Sequence, residues 1–252
     1  MILVAMPFSG RADQAPPGVM VPGVLPFHSF GPLTKAMRKA HQACGWAKTA
    51  KARIAGCTIV IRTVKDSQAR AEALDNRGNE RAALGQIDLA MADFNQANRL
   101  WPEFEGPYID RAMVRIQQRD AAGAIAEYDG LIRLDPNDPI GFDGRCWVRA
   151  LVGVELDAAL SDCNHAIQMA AYDNIKYEDR AIVWFRRGEM SRVISDAEFA
   201  LKQSPESARA LYLRGLARMA LGRMDEGRAD VSVAEKADAP AVKFLAEWGL
   251  KP

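Results

Sequence analysis

Histidine is scarce in this sequence, with three among 252 residues at His28, His41 and His165. None stands at a metal-ligand spacing, and Cys163 and His165, two apart, would point to different sides of a helix. Surface or capping roles suit them better than metal binding or catalysis. Four cysteines, Cys44, Cys57, Cys146 and Cys163, form no Cys-x-x-Cys pair and no zinc spacing. The phosphate loop and the motifs G-x-S-x-G, H-E-x-x-H and G-x-G-x-x-G are all missing. The expectation is therefore no enzyme, no metal and no cofactor. Long hydrophobic runs are missing too: stretches such as Met1–Phe8 and Thr58–Ile61 fall short of the roughly 18 to 20 apolar residues that span a bilayer. Met1–Phe8 has no basic residue before it, a poor match to a secretory signal, which keeps a cytoplasmic location open.

What is present is unevenly distributed. Residues 1–70 carry ten Lys or Arg against Asp13 and Asp66, a surplus of eight, so a net charge of +1 for the whole chain leaves −7 for residues 71–252. Such asymmetry fits an intramolecular contact, a basic arm for an anionic surface, a targeting segment, or a solvated basic helix with no partner. Residues 1–32 hold six of the thirteen prolines and no clear period, which reads as an irregular lead-in. Residues 33–66 turn to Ala, Lys and scattered apolar residues, which reads as a basic, degenerate hairpin of two helices broken near Gly45.

From residue 71 the sequence repeats itself. Arginines fall at Arg77, Arg111, Arg145, Arg180 and Arg214, at spacings of 34, 34, 35 and 34. One residue on is a small side chain each time, Gly78, Ala112, Cys146, Ala181 and Gly215, which lets two helices approach closely. Three residues before the arginine comes a bulky anchor: Leu74, Tyr108, Phe142, Tyr177 and Leu211. Glycine closes the first helix at Gly85, Gly153, Gly188 and Gly222, with Arg119 in the second copy. A second helix follows, with small residues seven apart in Ala90 and Ala97 or Ala159 and Ala166, and proline ends three copies at Pro102, Pro136 and Pro205.

This pattern resembles the tetratricopeptide repeat, the best copy being ALDNRGNERAALGQIDLAMADFNQANRLWP from Ala73 to Pro102. The resemblance covers five copies at 71–104, 105–138, 139–173, 174–207 and 208–240. It departs from the family at one inserted residue within Gly153–Ala159, at the missing prolines of copies three and five, and at Gly227, where alanine is usual. It implies an all-α fold, a right-handed α-solenoid of antiparallel helix pairs. Residues 241–252 read as a capping helix whose Phe244, Leu245 and Trp248 cover the exposed end of the stack.

Each repeated arginine has an acid 16 or 17 residues on: Asp93, Glu127, Asp162, Asp196 and Asp230. Across an antiparallel hairpin that separation brings them together, so an interhelical ion pair is expected in each copy. Matched acids favour this structural reading over a row of free arginines binding phosphate or nucleic acid. Cys146 and Cys163 face each other across one hairpin, and Cys44 and Cys57 flank the earlier one. Either these pairs are disulfides, which implies an oxidising compartment such as a bacterial periplasm, or cysteine serves as a small core residue.

In the family resembled, first helices line a concave surface. Here that surface would comprise Asp75, Asn76, Asn79, Ile109, Asp110, Met113, Asp143, Trp147, Glu178, Asp179, Ile182, Tyr212 and Leu216. Relatives that grip acidic chaperone tails use lysine, arginine and asparagine there, which this acidic and apolar set does not match. The expectation is a protein-interaction scaffold that takes a basic or amphipathic peptide, with Trp147 either an anchor or a packing residue. The basic N-terminal segment is itself a candidate occupant, as an autoinhibitory arm. The rival readings are an accessory or regulatory subunit of an enzyme complex, or an enzyme using groove carboxylates.

Overall fold

A computed structural model describes residues 34–251 of the protein; the proline-rich lead-in and His28 lie outside them. Among the described residues there are twelve α-helices and no strand: α1 (Lys35–Trp46), α2 (Ala50–Thr63), α3 (Ser67–Ala83), α4 (Ile87–Leu100), α5 (Gly106–Gln117), α6 (Ala121–Leu134), α7 (Pro139–Val152), α8 (Leu156–Met169), α9 (Asn174–Arg186), α10 (Met190–Gln203), α11 (Ala208–Ala220) and α12 (Met224–Glu247). The chain divides between Val114 and Arg115 into an N-terminal and a C-terminal unit, with α5 crossing the division. Both are built of antiparallel helix pairs, the all-α solenoid class.

Local chemistry sets the helix limits. Thr34, Thr49, Asp66, Asp120, Asp138, Asp173 and Ser207 each accept a backbone N–H at a helix start, which satisfies donors the helix itself cannot. Between the paired helices the chain turns through left-handed backbone at Gly85, Gly153, Gly188 and Gly222, and Arg119 adopts the same conformation, with φ of 63°. A side chain in that region is strained, so Arg119 is held there by contacts described below. The residue inserted in the third copy is absorbed in the same turn, where Glu155 adds a second left-handed residue with φ of 47° two positions after Gly153.

Close approach fixes how helices pair. In the N-terminal unit α1 and α2 cross at Gly56, where a Cβ would lie 2.6 Å from the Cys44 backbone nitrogen. One residue on, Cys57 is joined to Cys44, with Cα atoms 4.5 Å apart. In the C-terminal unit Cys146 and Cys163 join α7 to α8 across 5.4 Å. Loops of 13 and 17 residues closed in this way each contribute about 3 kcal/mol by restricting the unfolded chain. Gly78 faces the Phe94 ring, and Gly144 faces that of Tyr128.

The departure at Gly227 has a direct cause. A Cβ on Gly227 would stand 2.6 Å from the Gly215 carbonyl oxygen, and one on Gly215 would stand 2.8 Å from the Gly227 oxygen. Helices α11 and α12 thus meet backbone to backbone, where other copies place Ala90, Ala124 and Ala159 in their cores.

The terminal residues form a short helix of their own. At Asp238 the backbone leaves the helical region (φ −154°, ψ 81°), just ahead of Pro240. The Asp238 carboxylate then accepts the Ala241 N–H at 3.0 Å, so a new helix begins there. It turns back within the C-terminal unit: Phe244 stacks on Trp147 of α7 with ring centroids 6.4 Å apart, and Trp248 lies under the Arg119 guanidinium at 3.8 Å. Besides the last repeat, where Tyr212 bonds to Leu250, the segment reaches residues of the third copy and the turn of the second.

Gly227→Ala is expected to cost about 1 to 3 kcal/mol of stability in urea unfolding, the usual range for overpacking. A cost below 0.5 kcal/mol (of order the noise for surface changes) would contradict the backbone contact.

Candidate functional site

Arg77, Arg145, Arg180 and Arg214 each bind the acid of their own hairpin by two hydrogen bonds. Arg77 grips Asp93 at 2.9 and 2.7 Å, Arg145 grips Asp162 at 2.9 and 2.7 Å, Arg180 grips Asp196 at 2.8 and 2.7 Å, and Arg214 grips Asp230 at 2.8 Å twice. In the second copy Arg111 belongs to the N-terminal unit, where it donates to Asn98 at 2.7 Å. Glu127 belongs to the C-terminal unit, where it accepts from Arg115 at 3.2 Å.

Two further layers complete this ladder, and the sequence reading did not include them. One helical turn after the first arginine a second donor reaches the same acid: Arg81 to Asp93, Arg149 to Asp162, Arg218 to Asp230 and the Trp184 indole to Asp196. The spacing of four that carries it recurs in the sequence. The first arginine also reaches back to the preceding hairpin, as Arg77 to Thr58, Arg145 to Asp129 and Arg180 to Asn164. Opposite charge and these bonds hold Arg145 and Arg180 more firmly protonated than a free guanidinium. These side chains are committed to packing and are not a free cationic row.

The expected groove residues fall into two sets. In the N-terminal unit Glu72, Asp75, Asn76 and Asn79 of α3 lie near Asp110 of α5. Glu72 and Asp75 are buried, and one Asp75 carboxylate oxygen is buried with no hydrogen-bond partner among the described residues. Burial, then repulsion from Asp110, pushes Asp75 well above the usual carboxylate range, with Arg111 opposing. Burial raises Asp110 to about 6, offset in part by hydrogen bonds from Asn79, at 2.5 Å, and from Asp75. Asp75 thus carries the proton of that pair. Burial, then repulsion from Asp66, raises Glu72 to about 7. Glu72 opens on a hollow lined also by His41, Trp46 and Asn76. Ile109 and Met113 of α5 are half-buried.

In the C-terminal unit the expected acidic face is neutralised. Lys176 lies 3.5 Å from Asp143 and 2.6 Å from Asp173. Arg209 pairs with Asp179 and lies 3.5 Å from Glu178, which also accepts from Ser207 at 2.6 Å. Burial still raises Asp143 to about 6 and Asp179 to about 7, against the pull of Lys176 and Arg209 respectively. Lys176 and Arg209 each occur in one copy only, so periodicity gives no sign of them.

The apolar members are not open surface either. Ile182 and Leu216 are 0% and 2% exposed and pack between helices. Trp147 and Tyr212 are covered by the terminal segment: the Tyr212 hydroxyl donates to the Leu250 carbonyl at 2.9 Å, and Phe244 stacks on Trp147. Among the remaining candidates, His165 packs edge-on to Phe142, and no group of three or more His, Cys, Asp or Glu among the described residues is placed to hold a metal ion. No helix among them is long and apolar enough to cross a membrane.

Stacked hairpins bound by a charged ladder and joined through small residues are the fold of tetratricopeptide-repeat proteins, to which the chain is similar. Residues 185–242 match the family model of the tetratricopeptide repeat. The "TPR repeat-containing thioredoxin TDX" of Arabidopsis thaliana is 31% identical over 91 residues, 36% of this chain, and the chain spans 24% of that relative's length. Among solved structures, a tetratricopeptide repeat protein from Parabacteroides merdae shares the fold with a TM-score of 0.64 at 20% identity, over 86% of this chain and 83% of that one. A thermophilic TPR protein of Thermus thermophilus superposes at 0.59 and 17% identity, over 71% of this chain and 97% of its own. Yeast Tom70 superposes at 0.66 and 15%, over 86% of this chain and 47% of its own.

Removing Asp196 leaves Arg180 and the Trp184 indole without their shared acceptor. Asp196→Ala is expected to destabilise by about 3 to 5 kcal/mol, as when one partner of a buried pair is lost, and Asp196→Asn by less. Equal losses in urea unfolding would show that charge pairing is not what Asp196 contributes.

Proposed function

We propose that the protein is a non-catalytic scaffold that binds a basic peptide segment on the first-helix face of its N-terminal unit. The observation that carries this reading is the convergence of Glu72, Asp75 and Asp110, with one Asp75 oxygen buried and unsatisfied among the described residues. A lysine or arginine side chain supplies the donor and charge that the cluster lacks. The opening of Glu72 onto a hollow lined also by His41 and Trp46 supports binding over catalysis. The N-terminal basic segment is one possible source of that cation, in its own molecule or another. The same surface would serve an accessory subunit that positions a catalytic partner.

A pH dependence follows. Raised carboxylates bind more protons in the folded than in the unfolded chain between about pH 4.5 and 7, so this face loses stability as pH rises through that window. A bound cation favours the ionised forms, so peptide affinity moves in the opposite sense. A labelled lysine-rich peptide is expected to bind about tenfold or more tightly at pH 8 than at pH 5, a difference of about 1.4 kcal/mol. Asp75→Asn/Asp110→Asn together should abolish both binding and its pH dependence. Unchanged affinity in that variant would rule the site out.

The two disulfides support residence in an oxidising compartment, a bacterial periplasm among them. Protein isolated from its source without reductant should resist alkylation at all four cysteines; four modified thiols would place it in a reducing one.

A further inference from the structure

The first-helix face of the C-terminal unit is already occupied, and its occupant is part of the same chain. Residues 239–250, the part of α12 beyond its single non-helical residue Asp238 and the three residues after it, return to lie against α7, α11 and the turn at Arg119. The contacts divide into two kinds. Two aromatic side chains four residues apart, Phe244 and Trp248, meet Trp147 and the Arg119 guanidinium. Two backbone carbonyls at the end of the segment meet fixed donors: Trp248 accepts from Arg186 at 2.5 Å and Leu250 from Tyr212 at 2.9 Å. Leu245 and Leu250 are 2% and 0% exposed, while the opposite side carries Lys243 and Glu247 in solvent.

None of the receiving groups is specific to this chain as its own ligand. Carbonyls at a helix C-terminus are unsatisfied within any helix, so Arg186 reads at Trp248 a feature that every helical peptide offers, while Tyr212 reads the Leu250 carbonyl just past the left-handed Gly249. Arg186 is fixed in advance, since it also donates to the Ala150 and Leu151 carbonyls at the end of α7. Arg119 holds a left-handed conformation that glycine takes in the other four copies, and its position there puts a cation over an indole. Isolated helices shorter than about 12 residues are marginal in water, so the segment is helical because it is docked.

We infer that this face is a binding groove for an amphipathic helical peptide carrying two aromatic residues four apart, and that residues 239–250 are a tethered stand-in for that ligand which the ligand displaces. A short tether presents the stand-in at an effective concentration of order millimolar, so the groove rejects weak ligands and admits those that match it better. The inference shares with the proposed function only the premise of a binding scaffold. Loss of basic-peptide binding at Asp75 and Asp110 leaves it untouched.

The probe is a fluorescein-labelled peptide APAVKFLAEWGLK, residues 239–251, titrated into the full chain and followed by anisotropy. The Phe244→Ala/Trp248→Ala variant should bind it at least tenfold more tightly than the wild type, and adding Trp147→Ala should remove that binding. A cooperatively folded double variant with no saturable binding, or a wild type that binds equally well, overturns the inference. Should the double variant not fold, hydrogen exchange on the wild type decides. Amides of residues 241–250 exchanging well before those of α11 support displacement, and exchange of both together makes the segment an integral part of the unit. A wild-type dimer that exchanges its terminal segments, seen by sedimentation, places a second copy in the groove and contradicts a foreign peptide ligand.

Discussion

The arginine held between two carboxylate-bearing or amide-bearing helices is the interaction on which the rest of the structure depends. Arg145 shows its full form: two bonds to Asp162 across its own hairpin and one to Asp129 of the hairpin before. A planar guanidinium with five donors can do this, and a lysine cannot. Such pairs add little net stability over apolar packing but penalise any register that leaves a charge unmatched. They therefore specify how hairpins stack more than how tightly they stack. Once these arginines are committed, the chemistry left for partners lies on the remaining positions of the first helices.

Those positions divide by whether the chain has satisfied them itself. Around Asp75 and Asp110 the described residues do not satisfy them: burial raises both carboxyl groups, repulsion from Asp110 adds to it at Asp75, and one Asp75 oxygen has no partner among those residues. In the C-terminal unit Lys176 and Arg209 neutralise the equivalent acids, and the terminal segment covers Trp147 and Tyr212. On the proposed reading, the first face offers its acids to a cation, and the second offers a competitor the contacts that the terminal segment makes.

How much of this was legible in the sequence follows from repetition. The helix pairs, the arginines, their acids and the small residues beside them recur at one spacing, so each copy corroborates the others. The second donors Arg81, Arg149 and Arg218 recur in the same way, four residues on, and are equally readable. Features present once are not: Lys176 and Arg209 belong to single copies, and the turn at Asp238 depends on a kink and not on a period. Arg119 and Gly227 looked like defects against the repeat, yet each is explained by a contact elsewhere in the unit, with Trp248 and with Gly215. Departures from a repeat are where its particular chemistry resides.

The claim that the repeated arginines act within the stack, not toward a ligand, is tested most directly by a double-mutant cycle on Arg214 and Asp230 in equilibrium unfolding. Contact and shared bonding predict a coupling energy of about 1 to 3 kcal/mol. A coupling within about 0.3 kcal/mol of zero, the range of independent sites, would contradict it and return those arginines to the list of groups available for binding.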